Sequence, residues 1–232
     1  MQPYFFPYLG YFQLMSAVDT WIVFDEIQFI NKGWINRNRI LHPNKDKVWQ
    51  YFTLPLSGRK QKDYITDITL CPNAIKWKKT IAGKLTFYKK NAPFFNETMD
   101  LINECLKYDE INLSKFITNS LITIANYLEI NTDIKIQSTL SFPDFEIKHP
   151  GQWALRIAEQ LNANEYINPI GGNHLFKPEE FKKKKISLKF FEPKVNKYTQ
   201  IGRNFTPNLS IIDELMWQPI EEVKCSIHTN FL

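Results

Sequence analysis

The chain has 232 residues and a mass of 27.5 kDa, which is enough to bury a hydrophobic core without disulfides. Hydrophobic residues make up 44% and charged residues 23%, and these values exclude disordered, collagen-like and coiled-coil proteins. The 29 Lys and Arg residues exceed the 24 Asp and Glu residues by five, an excess too small to indicate nucleic-acid binding, so we expect no nucleic-acid partner.

The cysteines and histidines indicate the compartment and exclude common metal sites. Cys71, Cys105 and Cys225 are odd in number and show no CxxC spacing, so neither a disulfide framework nor a zinc site is indicated. The four histidines are scattered, so no metal is expected. No apolar run approaches the roughly 18 residues of a membrane span. We therefore expect a cytoplasmic protein with no membrane span.

The first third of the chain alternates one helix with strands. Phe12, Met15 and Val18 recur at three-residue spacing and predict a helix over residues 10–18. The compact apolar run at 21–24 predicts a strand that ends at Asp25. Further strands are predicted at 35–41, 49–56 and 65–70.

The middle of the chain is predicted to be helical and the last third returns to alternation. Helices are expected over 75–88 and after Ser114, a candidate cap, where Ile117, Leu121, Ile124 and Leu128 share one face. An extended segment follows from residue 134. The later predicted elements are helices at 153–161, 179–185 and after Ser210, and strands at 165–170 and 186–191.

This order predicts an α/β fold, with a mostly parallel sheet flanked by helices. We expect a single α/β domain over residues 1–232, with a helical insert at roughly 72–130.

A first candidate cluster is QPYFFPYLGYF at residues 2–12. Two prolines fix backbone torsions and a glycine opens the predicted helix, so the polar side chains between them should be held rigidly. The amide groups at such a helix start point toward an anion. The alternative is an aromatic plug over the core. The candidate substrate-binding residues are Gln2, Tyr4, Tyr8, Gly10 and Tyr11.

A second cluster is WINRNRI at residues 34–40, preceded by Asp25 and Gln28. Strand alternation places polar and apolar residues together on both faces of this segment, a pattern that a surface strand does not require. Arg37 offers a planar fork to phosphate or carboxylate, and Asn36 and Asn38 add amides. The alternative is a structural Asp–Arg pair.

A third cluster is INPIGGNHLF at residues 167–176, where a predicted strand ends in two glycines. Gly171, Gly172 and Asn173 would bring backbone amides close to a ligand. His174 exchanges protons near neutral pH, although a lone histidine is also common as a structural residue.

A fourth cluster spans residues 198–216 and contributes Tyr198, Gln200, Arg203 and Ser210. These residues follow no periodic pattern and are expected in a loop. Ser210 followed three residues later by Asp213 is similar to a capping box. The alternative places the Ser210 hydroxyl and the first amides of the helix against a phosphate.

Together these motifs resemble the WbqC-like family, found with bacterial O-antigen and surface-polysaccharide genes. The resemblance is carried, in chain order, by QPYFFPYLGYF, Asp25 with Gln28, WINRNRI, Tyr198 with Gln200, and FTPNLSIIDELM at 205–216. It implies a transferase of lipopolysaccharide or other surface-polysaccharide biosynthesis. The implied reaction moves an acyl or aminoacyl group, such as glycine, onto an amino sugar carried on a nucleotide.

A looser likeness concerns topology. The order of loop, helix and strand over residues 8–24 is that of the nucleotidyltransferase fold, in which a HxGH stretch meets phosphates. Here Tyr8 and Tyr11 stand in place of both histidines. The fold can therefore be shared without the nucleotidyl chemistry.

Three hypotheses follow. In the first, an acyl or aminoacyl transferase uses an activated donor (a thioester or an adenylate, with an acyl carrier as a partner), with Asp25 or His174 as base. The Gly171–Gly172 amides or Asn36 would stabilise the oxyanion, and Arg37 and Arg203 would hold phosphates. The others are a nucleotidyl-transferring or adenylating enzyme and a non-catalytic binder of sugar nucleotides or glycans. The first predicts that one crevice is lined by Tyr4, Asp25, Asn36, Arg37, His174 and Gln200.

Overall fold

The computed structural model describes residues 1–60, 62–142, 146–200 and 202–228. They form two compact units, the first built from residues 1–139 together with the segment from 195 onward, the second from 140–194. The single domain over 1–232 stays a prediction, because compactness of internal contacts does not by itself define a folding domain.

The described strands are short and pair in twos. They are β1 (Thr20–Val23), β2 (Arg37–Leu41), β3 (Trp49–Thr53), β4 (Leu56–Ser57), β5 (Thr69–Leu70), β6 (Asp133–Ile136), β7 (Glu165–Pro169) and β8 (Ser187–Phe191). The β1–β6 and β7–β8 pairs are parallel, and the β2–β3 and β4–β5 pairs are antiparallel. The α/β class is confirmed in this form, a mixed α/β protein with short parallel and antiparallel sheets.

The helices occupy much of the remaining described chain. They are α1 (Leu9–Ser16), α2 (Ala74–Leu85), α3 (Phe95–Lys107), α4 (Leu113–Tyr127), α5 (Gly151–Gln160), α6 (Pro178–Lys183), α7 (Ile211–Trp217) and α8 (Ile220–His228). Three of them, α2 to α4, lie consecutively between β5 and β6, within the range expected for a helical insert. No helix among the described residues is long and apolar enough to cross a membrane.

Helix α4 shows how periodicity builds the core of the first unit. Ile117, Leu121, Ile124 and Leu128 are fully buried, as their spacing predicts. The predicted cap is wrong, because the Oδ1 atom of Asn112 accepts the hydrogen bond from the amide of Lys115 at 3.1 Å. Helix α4 therefore begins at Leu113, directly after Asn112 and earlier than a cap at Ser114 would place it.

Two segments predicted as strand or strand end are tight helical turns. Residues 65–67 form a 3-10 helix before β5, and the Gly-Gly segment lies in a 3-10 helix at Ile170–Leu175. Short apolar runs do not distinguish these states by periodicity, since a 3-10 turn and a strand both fit three or four residues.

The second unit has its own core. Leu155 and Ala158 of α5 pack with Phe181 of α6 and with Ile186, which precedes β8. The ring of Phe181 lies 5.7 Å from that of Tyr166 in a stacked arrangement. Hydrophobic packing of one face of each helix against the β7–β8 pair thus holds this unit together.

Candidate functional site

The first unit contains an open cavity of about 490 Å³ with a cationic lining. This volume is within the range of small-molecule sites. The described lining residues, here called the cationic pocket, are Phe29, Asn31, Lys32, Asn36, Arg37, Thr53 and Arg59. It contains two residues of the second cluster, Asn36 and Arg37.

Arg37 is held in place by neutral groups. Its Nε donates to the carbonyl of Gly33 at 3.2 Å, and its Nη2 donates to the carbonyl of Lys32. Its guanidinium carbon lies 4.0 Å from the centre of the Tyr51 ring. Carbonyls and a ring fix the fork without neutralising its charge, so the cation is oriented for an anionic ligand.

Lys32 and Arg59 add two more positive charges to the pocket. Neither they nor Arg37 form an ion pair with any described residue. Arg59 lies over the ring of Phe29, with its guanidinium carbon 4.9 Å from the ring centre. Three unneutralised cations in one concave site attract an anion such as a phosphate or carboxylate.

The two asparagines of WINRNRI have different surroundings. Asn36 lines the pocket and donates from Nδ2 to the carbonyl of Leu54 at 2.9 Å. Asn38 is buried, and its Nδ2 bridges the carbonyls of Phe5 and Phe6 at 3.1 and 2.9 Å. Asn38 therefore anchors the N-terminal segment to β2, where it satisfies backbone groups that burial would leave unpaired.

Asp25 is buried and links three segments of the first unit through hydrogen bonds. Its Oδ2 accepts from the hydroxyls of Ser114 and Ser138 at 2.7 and 2.8 Å, and its Oδ1 accepts from the Ser138 amide at 3.0 Å. Its exposure is only 1%. The residue thus ties β1 to α4 and to the turn after β6. The structural Asp–Arg pair considered for it is not formed, since its partners are serines. Gln28, just downstream, is exposed, and its backbone bridges to Tyr64.

The N-terminal cluster packs its aromatic rings into the interior of the first unit. Tyr11 is buried, donates to the carbonyl of Gln2 at 3.0 Å and packs its ring 4.9 Å from that of Trp21. Burial raises the pKa of Tyr11 well above its ordinary value. Tyr4 is half-buried, with its ring 5.5 Å from that of Tyr11.

Helix α1 begins within the same N-terminal cluster, at Leu9. Tyr8 is the half-buried N-cap residue and its side chain makes no capping hydrogen bond, while Gly10 is buried in the first turn. Burial also raises the pKa values of Tyr4 and Tyr8, which keeps these phenols protonated at neutral pH.

The fourth cluster converges on a carboxylate that the sequence interpretation assigned to a cap. Asp213 is fully buried and accepts from the hydroxyls of Tyr88 and Tyr198 and from Nε2 of Gln200, the last two at 2.7 Å. Gln200 also accepts from the amide of Thr206 at 2.7 Å. Burial raises the pKa of Asp213, although these donated hydrogen bonds oppose the shift. We call Asp213, Tyr88, Tyr198 and Gln200 the buried acid cluster.

Ser210 and Arg203 also bond to the chain itself. Ser210 caps α7, as predicted, by accepting from the amide of Ile212 at 3.3 Å, and its hydroxyl donates to the carbonyl of Phe6 at 2.7 Å. Arg203 donates to the carbonyls of His42, Pro43 and Lys47. Its guanidinium therefore fastens the loop between β2 and β3.

The third cluster belongs to the second unit. Gly171, Asn173 and His174 are exposed and Gly172 is half-buried, all within the 3-10 helix. A Cβ atom on Gly171 would meet nothing within 4 Å, whereas one on Gly172 would lie 2.5 Å from Nδ2 of Asn168. A side chain at position 172 would therefore displace the Asn168 amide, whereas position 171 has room for one.

The expectation of one crevice needs correction. Of the first-unit residues named for it, the described lining of the cationic pocket contains Asn36 and Arg37 but not Tyr4, Asp25 or Gln200. Asp25 and Gln200 are 1% and 2% exposed, and their polar atoms already bond to protein groups, so they lie in the interior.

Sequence reasoning missed Lys32 and Arg59, and the signal that would have found them is local charge. Between residues 27 and 62 there is one acid, Asp46, and eight cations, although the whole chain is nearly balanced. The cations are Lys32, Arg37, Arg39, Lys45, Lys47, Arg59, Lys60 and Lys62.

Comparisons with known proteins identify a family for this chain. The chain is 26% identical over 217 residues to the uncharacterized protein Rv1507c of Mycobacterium tuberculosis (strain ATCC 25618 / H37Rv), covering 93% of this chain and 90% of that protein. No solved structure matches. A model of the WbqC-like protein family matches residues 2–225, and the chain therefore belongs to that family.

Proposed function

We propose that this protein binds a nucleotide-linked amino sugar through its phosphates in the cationic pocket, as an acyl or aminoacyl transferase of surface-polysaccharide biosynthesis. The observation that carries the binding step is the set of three cations, Lys32, Arg37 and Arg59, around one cavity with no described ion-pair partner. A diphosphate supplies the two negative groups that such a site neutralises. The transfer step rests on what the family resemblance implies.

The catalytic roles stay hypotheses. Amine attack on a thioester or adenylate needs a base and an oxyanion donor. The hydrogen bonds of Asp25 favour a positioning role for that residue, which leaves His174, exposed in the second unit, as the base to test. Asn36 is the candidate oxyanion donor that lines the pocket.

Calorimetry with a nucleotide diphosphate amino sugar tests the binding step. Arg59→Ala should weaken binding about 10- to 150-fold, because one charge-assisted contact contributes about 1.5–3 kcal/mol. The matched control is Lys107→Ala, since Lys107 is an exposed cation that already pairs with Glu104 at 3.0 Å. If the parent protein binds no phosphate ligand, the proposed function is wrong.

The transfer step is tested by incubating the parent protein with acyl or aminoacyl thioesters and adenylates and an amino sugar nucleotide. We expect an N-acylated product that mass spectrometry detects. As the hypothetical base, His174 should be needed for turnover but not for binding in the His174→Ala variant, because it is not among the pocket's described lining residues. Binding without product from any donor would contradict the transferase assignment.

A second candidate, a non-catalytic sugar-nucleotide or glycan binder, is favoured by the composition of the pocket. Its described lining residues include no carboxylate, histidine or cysteine, so none of them is an ordinary general base that could activate the hydroxyl of Thr53 or the amine of Lys32. Tight binding with no turnover, and loss of binding in Arg59→Ala, is the result that would support this candidate over the first.

A third candidate is nucleotidyl transfer on a related fold with a mostly parallel sheet. It is supported by the order of loop, α1 and β1 over residues 8–23. Tyr8 and Tyr11 in place of two histidines weigh against it, because a phenol whose pKa is raised by burial is a poor proton carrier at neutral pH. Calorimetry with a nucleoside triphosphate and magnesium that shows no binding would exclude it.

A further inference from the structure

The cationic pocket continues into one face of the β2–β3 pair. In the antiparallel register Arg37 lies opposite Thr53 and Arg39 lies opposite Tyr51. Paired residues project from the same face, and so do residues two apart in one strand. Arg39 and Tyr51 therefore share a face with Arg37 and Thr53, which line the pocket, at a distance along the strand of about 7 Å.

That face carries aromatic rings alternating with guanidinium groups. The guanidinium carbon of Arg39 lies 5.1 Å from the centre of the Trp34 ring and 5.3 Å from that of Trp49. The rings of Trp49 and Tyr51 are 4.9 Å apart, and Tyr51 also lies under Arg37. We call Trp34, Arg39, Trp49 and Tyr51 the aromatic strip.

The strip is partly accessible to solvent, and one of its buried polar atoms is unpaired. Trp49 is 36% exposed, while Trp34, Arg39 and Tyr51 are half-buried. The Nη2 of Arg39 donates to the carbonyl of Asn208 at 3.0 Å, but its buried Nε has no partner among the described residues. Trp49 is not a singly exposed ring, because it is continuous with Tyr51 and Arg39, and contiguous aromatic surface of this kind marks binding sites.

We propose that the aromatic strip binds the planar base of the nucleotide whose phosphates occupy the cationic pocket. The inference rests on the proposed function, since it assigns a second part of the same ligand. Aromatic rings and arginine planes are the groups on which nucleobases stack. Continuity places the phosphates against Arg37 and the base farther along the same strands, toward Trp49.

Stacking also determines the selectivity of the site. Every base has a π-face, so stacking tolerates different bases, whereas hydrogen bonding to base edges would discriminate among them. The strip consequently favours nucleoside diphosphate ligands over pyrophosphate and discriminates weakly among bases. The base is a recognition element, and the reacting amino sugar lies elsewhere.

The test compares three ligands by calorimetry on the full chain: inorganic pyrophosphate, uridine diphosphate and adenosine diphosphate. The parent should bind both nucleotides about tenfold or more tightly than pyrophosphate. Trp49→Ala should reduce this advantage about tenfold without changing pyrophosphate affinity, and Trp49→Phe should retain part of it. Tyr108→Ala, which removes an exposed aromatic residue after α3, is the matched control and should change neither affinity.

The outcomes separate the two proposals. Equal binding of pyrophosphate and nucleotides by the parent, or an unchanged ratio in Trp49→Ala, overturns the base-binding inference and leaves the cationic pocket standing. Absence of binding for all three ligands overturns both. A thermal melt that matches the parent shows that Trp49→Ala is folded, and Trp49→Phe provides the same comparison if the alanine variant does not fold.

Discussion

The cationic pocket and the buried acid cluster differ in whether their charged groups are paired within the protein. In the cluster, the Asp213 carboxylate is enclosed and receives hydrogen bonds from Tyr88, Tyr198 and Gln200. In the pocket, Arg37 is oriented by carbonyls and a ring and faces solvent with no described counterion. A satisfied buried charge stabilises one arrangement of the chain, whereas an oriented charge without a counterion is available for a ligand.

This difference distinguishes two roles that a polar residue in a motif can have, one structural and one in ligand binding. Asn38, Ser210 and Arg203 all bond to the backbone of distant segments, so they hold the first unit together. Asn36 and Arg37 neighbour Asn38 in the sequence but line the cavity. The comparison predicts that changes in the first group lower stability, while changes in the second group lower ligand affinity.

Asp213→Ala should give the largest effect. It leaves two buried phenols without an acceptor, at about 1–3 kcal/mol for each before relaxation, and it removes the shortest of the bonds that Nε2 of Gln200 donates. We expect the free energy of unfolding to fall by about 3–5 kcal/mol, measured by urea denaturation. Asp213→Asn, which keeps one acceptor oxygen, is the matched control and should lose less. An alanine variant as stable as the parent would contradict the structural role of the cluster.

Glu214→Gln should show a pH-dependent effect. Burial, followed by the charge of Asp213, raises the pKa of Glu214 from 4.5 to about 8. The folded state therefore holds this proton more tightly, and the stability present below pH 4.5 is lost as pH rises toward 8, by about 1.4 kcal/mol per pH unit.

Gln218 donates to this side chain at 2.9 Å, and glutamine can accept the same bond. Because Glu214→Gln does not titrate, it should match the parent near pH 5 and exceed it by about 2–4 kcal/mol at pH 8 in urea unfolding. Glu222→Gln, at an exposed position in α8, is the control. A constant difference across this range would refute the raised pKa.

The sequence predicted elements better than sites, and α4 and Ser114 show why. The spacing of Ile117, Leu121 and Ile124 requires one buried face, so the helix follows from local pattern. The role of Ser114 depends on Asp25, which lies 89 residues away, and on competition from Asn112 two residues earlier. Tertiary partners decide which polar residue caps a helix.

The sequence predicted Asn36 and Arg37 of the pocket but missed its other two cations for the same reason. Arg37 stands out in WINRNRI, but Lys32 and Arg59 lie in turns and loops whose positions depend on how β2 and β4 are placed. Asp213 was interpreted as part of a capping box because it follows Ser210 by three residues. Its partners Tyr88 and Tyr198 come from other parts of the chain, which spacing cannot reveal.

Asp25→Ala tests whether this residue acts in the framework or in the chemistry. It removes the acceptor for two serine hydroxyls and one amide, so we expect a loss of about 2–3 kcal/mol in unfolding free energy and unchanged ligand affinity. Asp25→Asn should lose about 1 kcal/mol, because Ser114 and Ser138 can reorient their hydroxyls toward the new amide. If Asp25→Asn abolishes turnover while stability and binding match the parent, Asp25 is a base and the framework role is wrong.

Arg37→Lys should have the smallest effect on stability. Lysine keeps the charge but loses the planar fork that contacts the carbonyls of Lys32 and Gly33 and the ring of Tyr51. Calorimetry should show pyrophosphate binding weakened about fivefold, which corresponds to about 1 kcal/mol, while the unfolding free energy changes by less than about 0.5 kcal/mol. The matched comparison is Arg203→Lys, whose guanidinium bonds to carbonyls of the β2–β3 loop and does not line the pocket. It should leave affinity unchanged and lower stability, and equal losses of affinity in both variants would show that the oriented guanidinium of Arg37 has no specific role in binding the anion.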